Sequence, residues 1–202
     1  VFNQPRTRAA QKAATAQTVL EAARVEFERV GFEAANIRAI AKRAGVSAGT
    51  VLHHHGDKRE LLHAALFEDL DLTLRTAIAA LGDRPIIEEL VALTRAVFHY
   101  YETRPTLSRT LLKESLFADP PWAAKFAGQV RMTHAAIAKL VEQAIQRGEL
   151  RREADPMLLG VTYFSFFYFA LIAWVQGNLP SPTTLVERQL EQHLVGLRRR
   201  ST

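Results

Sequence analysis

The segment Ile37–Lys58, IRAIAKRAGVSAGTVLHHHGDK, leaves its backbone few ways to fold. Ile37, Ile40, Ala41 and Ala44 recur at helical spacing and form one apolar stripe. Gly45 can take the left-handed conformation that ends a helix, because it has no Cβ to clash. Val46 can plug the corner that follows, and Ser47 is a natural N-cap for a second helix. Ala41 is small enough to let two helix backbones cross closely. A helix, a glycine turn and a second short helix make a helix-turn-helix, whose second helix can enter a DNA major groove.

The flanking residues extend the pattern. Upstream, TVLEAARVEFERVGF places Val19, Leu20, Ala23, Phe27 and Val30 on one face, with Gly31 as a stop and Phe32 as a core anchor. Downstream, Asp57 and Glu60 are spaced as an N-cap and its N3 partner before a long periodic helix. The ordered set AA at 22–23, Phe27, GF at 31–32, IA at 40–41, AGVS at 44–47, GT at 49–50, HH at 53–54, Lys58 and Leu61 covers roughly the first third of the chain. In this set Thr18–Leu62 resembles the DNA-binding domain of the tetracycline-repressor (TetR) family of bacterial transcriptional regulators. The resemblance implies DNA contacts from Arg38, Ser47, Ala48, Gly49, Thr50, Leu52, His53, His54 and Lys58. Ser47, Thr50 and Lys58 are expected on phosphates, and Ala48, Gly49 and His53 near base edges. Two positions depart from the family, which usually has Tyr in place of Leu52 and Phe in place of His55. Leu52 removes a hydroxyl that typically reaches a phosphate, and His55 puts a titratable ring at a core position.

The charge distribution agrees with a DNA-facing N-terminal part. Residues 1–60 hold ten Lys and Arg against six Asp and Glu, whereas the remainder is nearly balanced. Residues 1–10 read as a flexible basic arm in which Arg6 and Arg8 can reach DNA. The absence of cysteine excludes disulfide scaffolds and thiolate metal sites and suits a cytoplasmic protein. No signal-peptide pattern opens the sequence.

Beyond residue 57 the chain divides itself into helices. Asp119-Pro120, Asp155-Pro156 and Ser181-Pro182 place a capping side chain before a proline, and Gly82, Gly148 and Gly177 mark stops. Helices are predicted near 58–81, 85–102, 106–117, 121–147, 156–176 and 183–199, with no period-two alternation between hairpin turns. The expected fold is all-α: a three-helix DNA-binding domain over 1–57 and a helical ligand-binding and dimerisation domain over 58–202.

Met157–Val175 runs nineteen residues without a charge, which is about 28 Å of helix and close to a bilayer core. The Asp155-Pro156 cap, Thr162 and Ser165, and the lack of a second span favour burial in a dimer over a membrane. Val186, Leu190, Leu194 and Leu197 form a stripe on the following helix. Phe166, Phe169, Val186, Leu190, Leu194 and Leu197 are therefore the expected homodimer interface. Arg198, Arg199 and Arg200 should lie in solvent at the end of that helix.

Catalytic chemistry finds no footing. Consecutive helical residues point about 100° apart, so His53, His54 and His55 cannot converge on one metal ion. No nucleophile elbow, P-loop or dinucleotide fingerprint occurs. No metal, cofactor or catalytic residue is expected. Phe98, Tyr101, Phe117, Trp122, Phe126, Phe164 and Phe167 are candidate walls of a cavity for a small hydrophobic effector. The resemblance implies a repressor that binds palindromic double-stranded DNA and is released by that effector. The alternatives are a sensor or carrier with a degraded DNA-binding domain and, more distantly, an all-α enzyme.

Overall fold

The computed structural model describes residues 7–199. Its chain divides into two compact units: residues up to Asp69 together with Arg104–Glu114, and Leu70–Thr103 together with the residues from Ser115 onward. All regular structure among the described residues is helical, and the one antiparallel bridge joins Leu150 to Arg198.

In the first unit, α1 (Arg8–Ala34) starts where the Thr7 hydroxyl accepts from the Ala10 N–H at 3.2 Å. Residues 8–10 are thus helix rather than loose arm, because the chain supplies a cap directly before them. Arg6 lies outside the described residues. Gly31 leaves helical geometry at φ 76°, which is why the helix breaks there. Val19, Leu20, Ala23 and Phe27 are buried against α2 (Ile37–Ala44) and α3 (Ala48–His55), which contribute Ile40, Ala41 and Val51.

Charge pairs hold this bundle as well. Glu26, almost fully buried, takes Arg29 at 2.8 Å and lies 3.7 Å from Arg43 on α2. Buried Arg24 reaches Asp69 at 2.9 Å, near the middle of α4 (Lys58–Ala79). The unit also takes in α6 (Pro105–Leu116), whose first turn presents unpaired N–H groups. Glu28 accepts from the Thr106 and Leu107 N–H at 3.2 and 2.8 Å, and Leu107, Ser108 and Leu111 are buried.

The second unit is built on α5 (Ile86–Glu102), α7 (Trp122–Gln146), α8 (Pro156–Val175) and α9 (Pro182–Val195), with the C-terminal part of α4. α9 packs on both α5 and α8, and α7 packs on α8. Asp155 caps α8 as its sequence predicts, accepting from the Met157 and Leu158 N–H at 2.8 and 3.1 Å. Asp119 and Ser181 make no such side-chain bond; α7 begins after Pro121 instead. α9 ends at Val195, short of the predicted 199. Its continuation pairs with the loop before α8, where the Arg151 N–H donates to the Leu197 carbonyl at 2.9 Å. Arg198 and Arg199 are exposed in that pairing, and Arg200 lies outside the described residues.

Candidate nucleic-acid interface and effector cavity

The helix-turn-helix is closed by local hydrogen bonds. Asn36 caps α2 by accepting from the Ala39 N–H at 2.9 Å. Gly45 sits at φ 69°, and the Val46 N–H returns to the Ala41 carbonyl at 3.0 Å. Ser47 caps α3 through the Thr50 N–H at 3.0 Å and lies 2.9 Å from the Thr50 hydroxyl. Val51 is the buried anchor of α3.

The residues expected at DNA differ in exposure. Arg38, Ser47, Gly49, Leu52 and His53 are exposed, and Ala48, Thr50 and His54 are half-buried. Leu52, 44% exposed, offers an apolar surface that suits a thymine methyl rather than a phosphate.

Lys58 behaves differently from its expected phosphate role. Its ammonium donates to the carbonyls of Phe32, Glu33 and Ala35 at 2.9, 3.2 and 3.1 Å and lies over the Phe32 ring. Three donors are thereby committed within the protein, so Lys58 ties the start of α4 to the C-terminal end of α1. Lys58→Ala is expected to destabilise the first unit by about 1–3 kcal/mol and to leave the salt dependence of DNA binding unchanged. Amide exchange across α1–α3 and operator titrations at several salt concentrations give both readings. A slope flattened by one phosphate contact would return Lys58 to the DNA surface.

His55 is half-buried, and its Nε2 is enclosed with no hydrogen-bond partner. Burial lowers its pKa below the ordinary 6.5; a backbone contact at Ala16 opposes this and His54 adds to it. Folding therefore favours the neutral ring. Its stability contribution is complete above the unfolded value and is lost as pH falls below about 6.5. His55→Phe should stabilise the first unit by about 1 kcal/mol at neutral pH and by more at pH 5.5. Amide exchange of α1–α3 at the two pH values is the measurement, and a neutral or destabilising outcome at both would exclude the idea.

The second unit contains a cavity of about 310 Å³ bounded by α4, α5, α7 and α8. Of the candidate walls, Tyr101, Phe126, Phe164 and Phe167 line it. Phe98 is fully buried behind them, stacked on Phe167 at 4.4 Å between centroids. Phe117 is 81% exposed, and Trp122 packs under the Lys125 ammonium away from the lining. Gln129, Thr133, Tyr163 and Tyr168 also line the cavity and were not foreseen. The two tyrosines could have been found, since 163, 164, 167 and 168 recur on one helical face. Burial pushes the phenols of Tyr101, Tyr163 and Tyr168 above their ordinary range, so they stay neutral.

The expected dimer residues separate into two groups. Val186, Leu190 and Leu194 are buried in their own unit and cannot face a partner, because α9 turns this stripe onto α5 and α8. Phe166 and Leu197 are half-buried, and Phe169 is 60% exposed. The outward face of α8 carries Met157, Leu158, Val161, Phe169 and Ile172, all exposed. The helix is long and apolar enough to cross a membrane, and only 39% of its apolar window is buried in the chain itself.

Residues 19–65 match the family described as bacterial regulatory proteins, tetR family. The transcriptional regulator UidR of Escherichia coli is 27% identical over 162 residues, covering 74% of this chain and 78% of UidR. A TetR-family transcriptional regulator from Pectobacterium atrosepticum superposes with TM-score 0.76 at 22% identity, covering 98% of this chain and all of that one. The regulator FadR of Bacillus subtilis, solved in complex with stearoyl-CoA, gives 0.72 at 18% identity, covering 90% and 99%.

Proposed function

Because the chain is a helix-turn-helix transcriptional regulator of the tetR family, and not an enzyme, we propose that it represses by holding a palindromic operator as a homodimer until a small molecule enters its cavity. The observation that carries this reading is the presence, in one chain, of an outward recognition helix and an aromatic-walled cavity. The stearoyl-CoA held by the Bacillus subtilis neighbour supports a small-molecule effector for this chain too. Arg38, Ser47 and Thr50 hold phosphates, while Ala48, Gly49, Leu52 and His53 meet base edges. His54 stands at the margin of that face.

The dimer forms through the outward face of α8, since an apolar patch of this extent on a water-soluble regulator calls for cover. A two-fold contact matches a palindromic site. Release follows from linkage. An effector that binds best to the state in which the two recognition helices no longer fit both half-sites shifts the population away from DNA. The cytoplasm is where such a protein meets its operator.

Selection of bound sequences from a random pool, followed by footprinting, tests the reading. Two protected half-sites with centres about 34–36 Å apart, or a multiple of that, are expected on one face of the duplex. A carrier with a degraded DNA-binding domain would protect nothing.

A further inference from the structure

Among the described residues, the cavity wall in the second unit contains no Asp, Glu, Lys, Arg or His. A carboxylate or phosphate inside it would meet no cation. An ammonium would meet ring faces but no carboxylate to neutralise it. The rings are also arranged to accept a flat body: Tyr163 lies 24° from parallel with Phe167, and Phe164 lies 27° from Tyr168. A cavity of about 150 Å³ holds one benzene, so 310 Å³ holds roughly two rings.

Two hydroxyls of the wall have a definite hydrogen-bonding sense. The Thr94 hydroxyl donates its single hydrogen to the Leu90 carbonyl at 2.7 Å. In the 3.0 Å contact between Thr94 and Tyr163, the tyrosine must therefore be the donor. The Thr133 hydroxyl likewise donates to the Gln129 carbonyl at 3.0 Å. Of the lining hydroxyls, those of Tyr163 and Thr133 have committed their hydrogens to the protein and keep lone pairs that can accept.

Resting on the reading of this cavity as the effector site, we infer that the effector is an uncharged, two-ring-sized molecule carrying a hydroxyl or N–H that donates to Tyr163 Oη or Thr133 Oγ1. A ketone or an ether of the same shape lacks the hydrogen that these two oxygens accept.

The test uses the full chain with 2-naphthol, 2-methoxynaphthalene, choline and lauroyl-CoA in calorimetric titrations, with operator release followed in parallel. The naphthol should bind about five- to tenfold more tightly than its methyl ether, the worth of one hydrogen bond. Tyr163→Phe or Thr133→Val should cut that ratio while changing the affinity for the ether less than twofold. Thr133→Val serves where Tyr163→Phe, which also unpairs Thr94, fails to fold. Equal affinity for naphthol and ether, or tighter binding of choline or lauroyl-CoA, overturns the inference. Naphthol binding without operator release upholds the ligand class and removes the repressor reading; release by choline or lauroyl-CoA does the reverse.

Discussion

A Phe169→Glu variant is expected to be a folded monomer that binds its operator on the order of 100-fold more weakly than the parent chain. Phe169 is 60% exposed in the single chain, so a carboxylate there sits in water and costs the fold little. In a dimer joined along α8, the same carboxylate would be buried without a partner, which a stable interface does not tolerate. Operator affinity falls with the dimer because one recognition helix keeps only one half-site. Sedimentation equilibrium and operator titration read the two effects together. Leu194→Glu makes the contrast, since its site is closed by α5 and α8 and it should unfold the second unit rather than split a dimer. A Phe169→Glu protein that remains dimeric and binds normally would move the interface elsewhere. Recovery of the parent chain only in membranes would make α8 a transmembrane helix.

Glu89→Ala should lower stability by roughly 2–3 kcal/mol and the melting temperature by roughly 5–10 °C. Glu89 has no exposed surface and gathers the loop between α4 and α5: it accepts from the Gly82 and Arg84 N–H, each at 3.1 Å, and from Arg84 Nε and Nη2 at 3.1 and 2.8 Å. Its removal leaves two backbone donors and a guanidinium without their acceptor. Hydrogen bonds from Arg84 hold its pKa below the ordinary 4.5, against the opposing effect of burial. The unfolded chain therefore binds the proton first, and this contribution is present above about pH 4.5 and lost as pH falls through the lower folded value. Thermal melts between pH 3 and 7 should show the gap between parent and variant narrowing toward the acid end. A pH-independent gap would mean that Glu89 acts through packing alone.

What could be read from the residues alone follows the range of the forces involved. The helix-turn-helix is legible because its decisions are local: Gly45 and Ser47 act within four residues of themselves. The all-helical second half is legible for the same reason, through Asp155 and the charge-free run behind it. The stripe Val186, Leu190, Leu194 shows that α9 has an apolar neighbour without showing whether that neighbour is α5, α8 or another subunit. Phe98 and Phe167 look alike in sequence, yet only Phe167 lines the cavity, since a void is defined by what surrounds it. Lys58 reads as a free cation until the chain 26 residues earlier brings the Phe32 carbonyl within reach. Long-range polar pairs such as Glu28 with α6 leave no periodic trace.

The capture of α6 by Glu28 bears on how recombination can shuffle proteins of this kind. The residues that complete the first unit lie in two stretches, one of them more than thirty residues downstream of Asp69. A crossover placed after Asp69 would graft the helix-turn-helix onto a foreign α6, whose first turn is not fitted to the Glu28 carboxylate and whose apolar residues are not fitted to the places of Leu107 and Leu111. Exchange of operator specificity between relatives should therefore succeed when residues 104–114 travel with the N-terminal segment, and yield unstable hybrids when they are left behind.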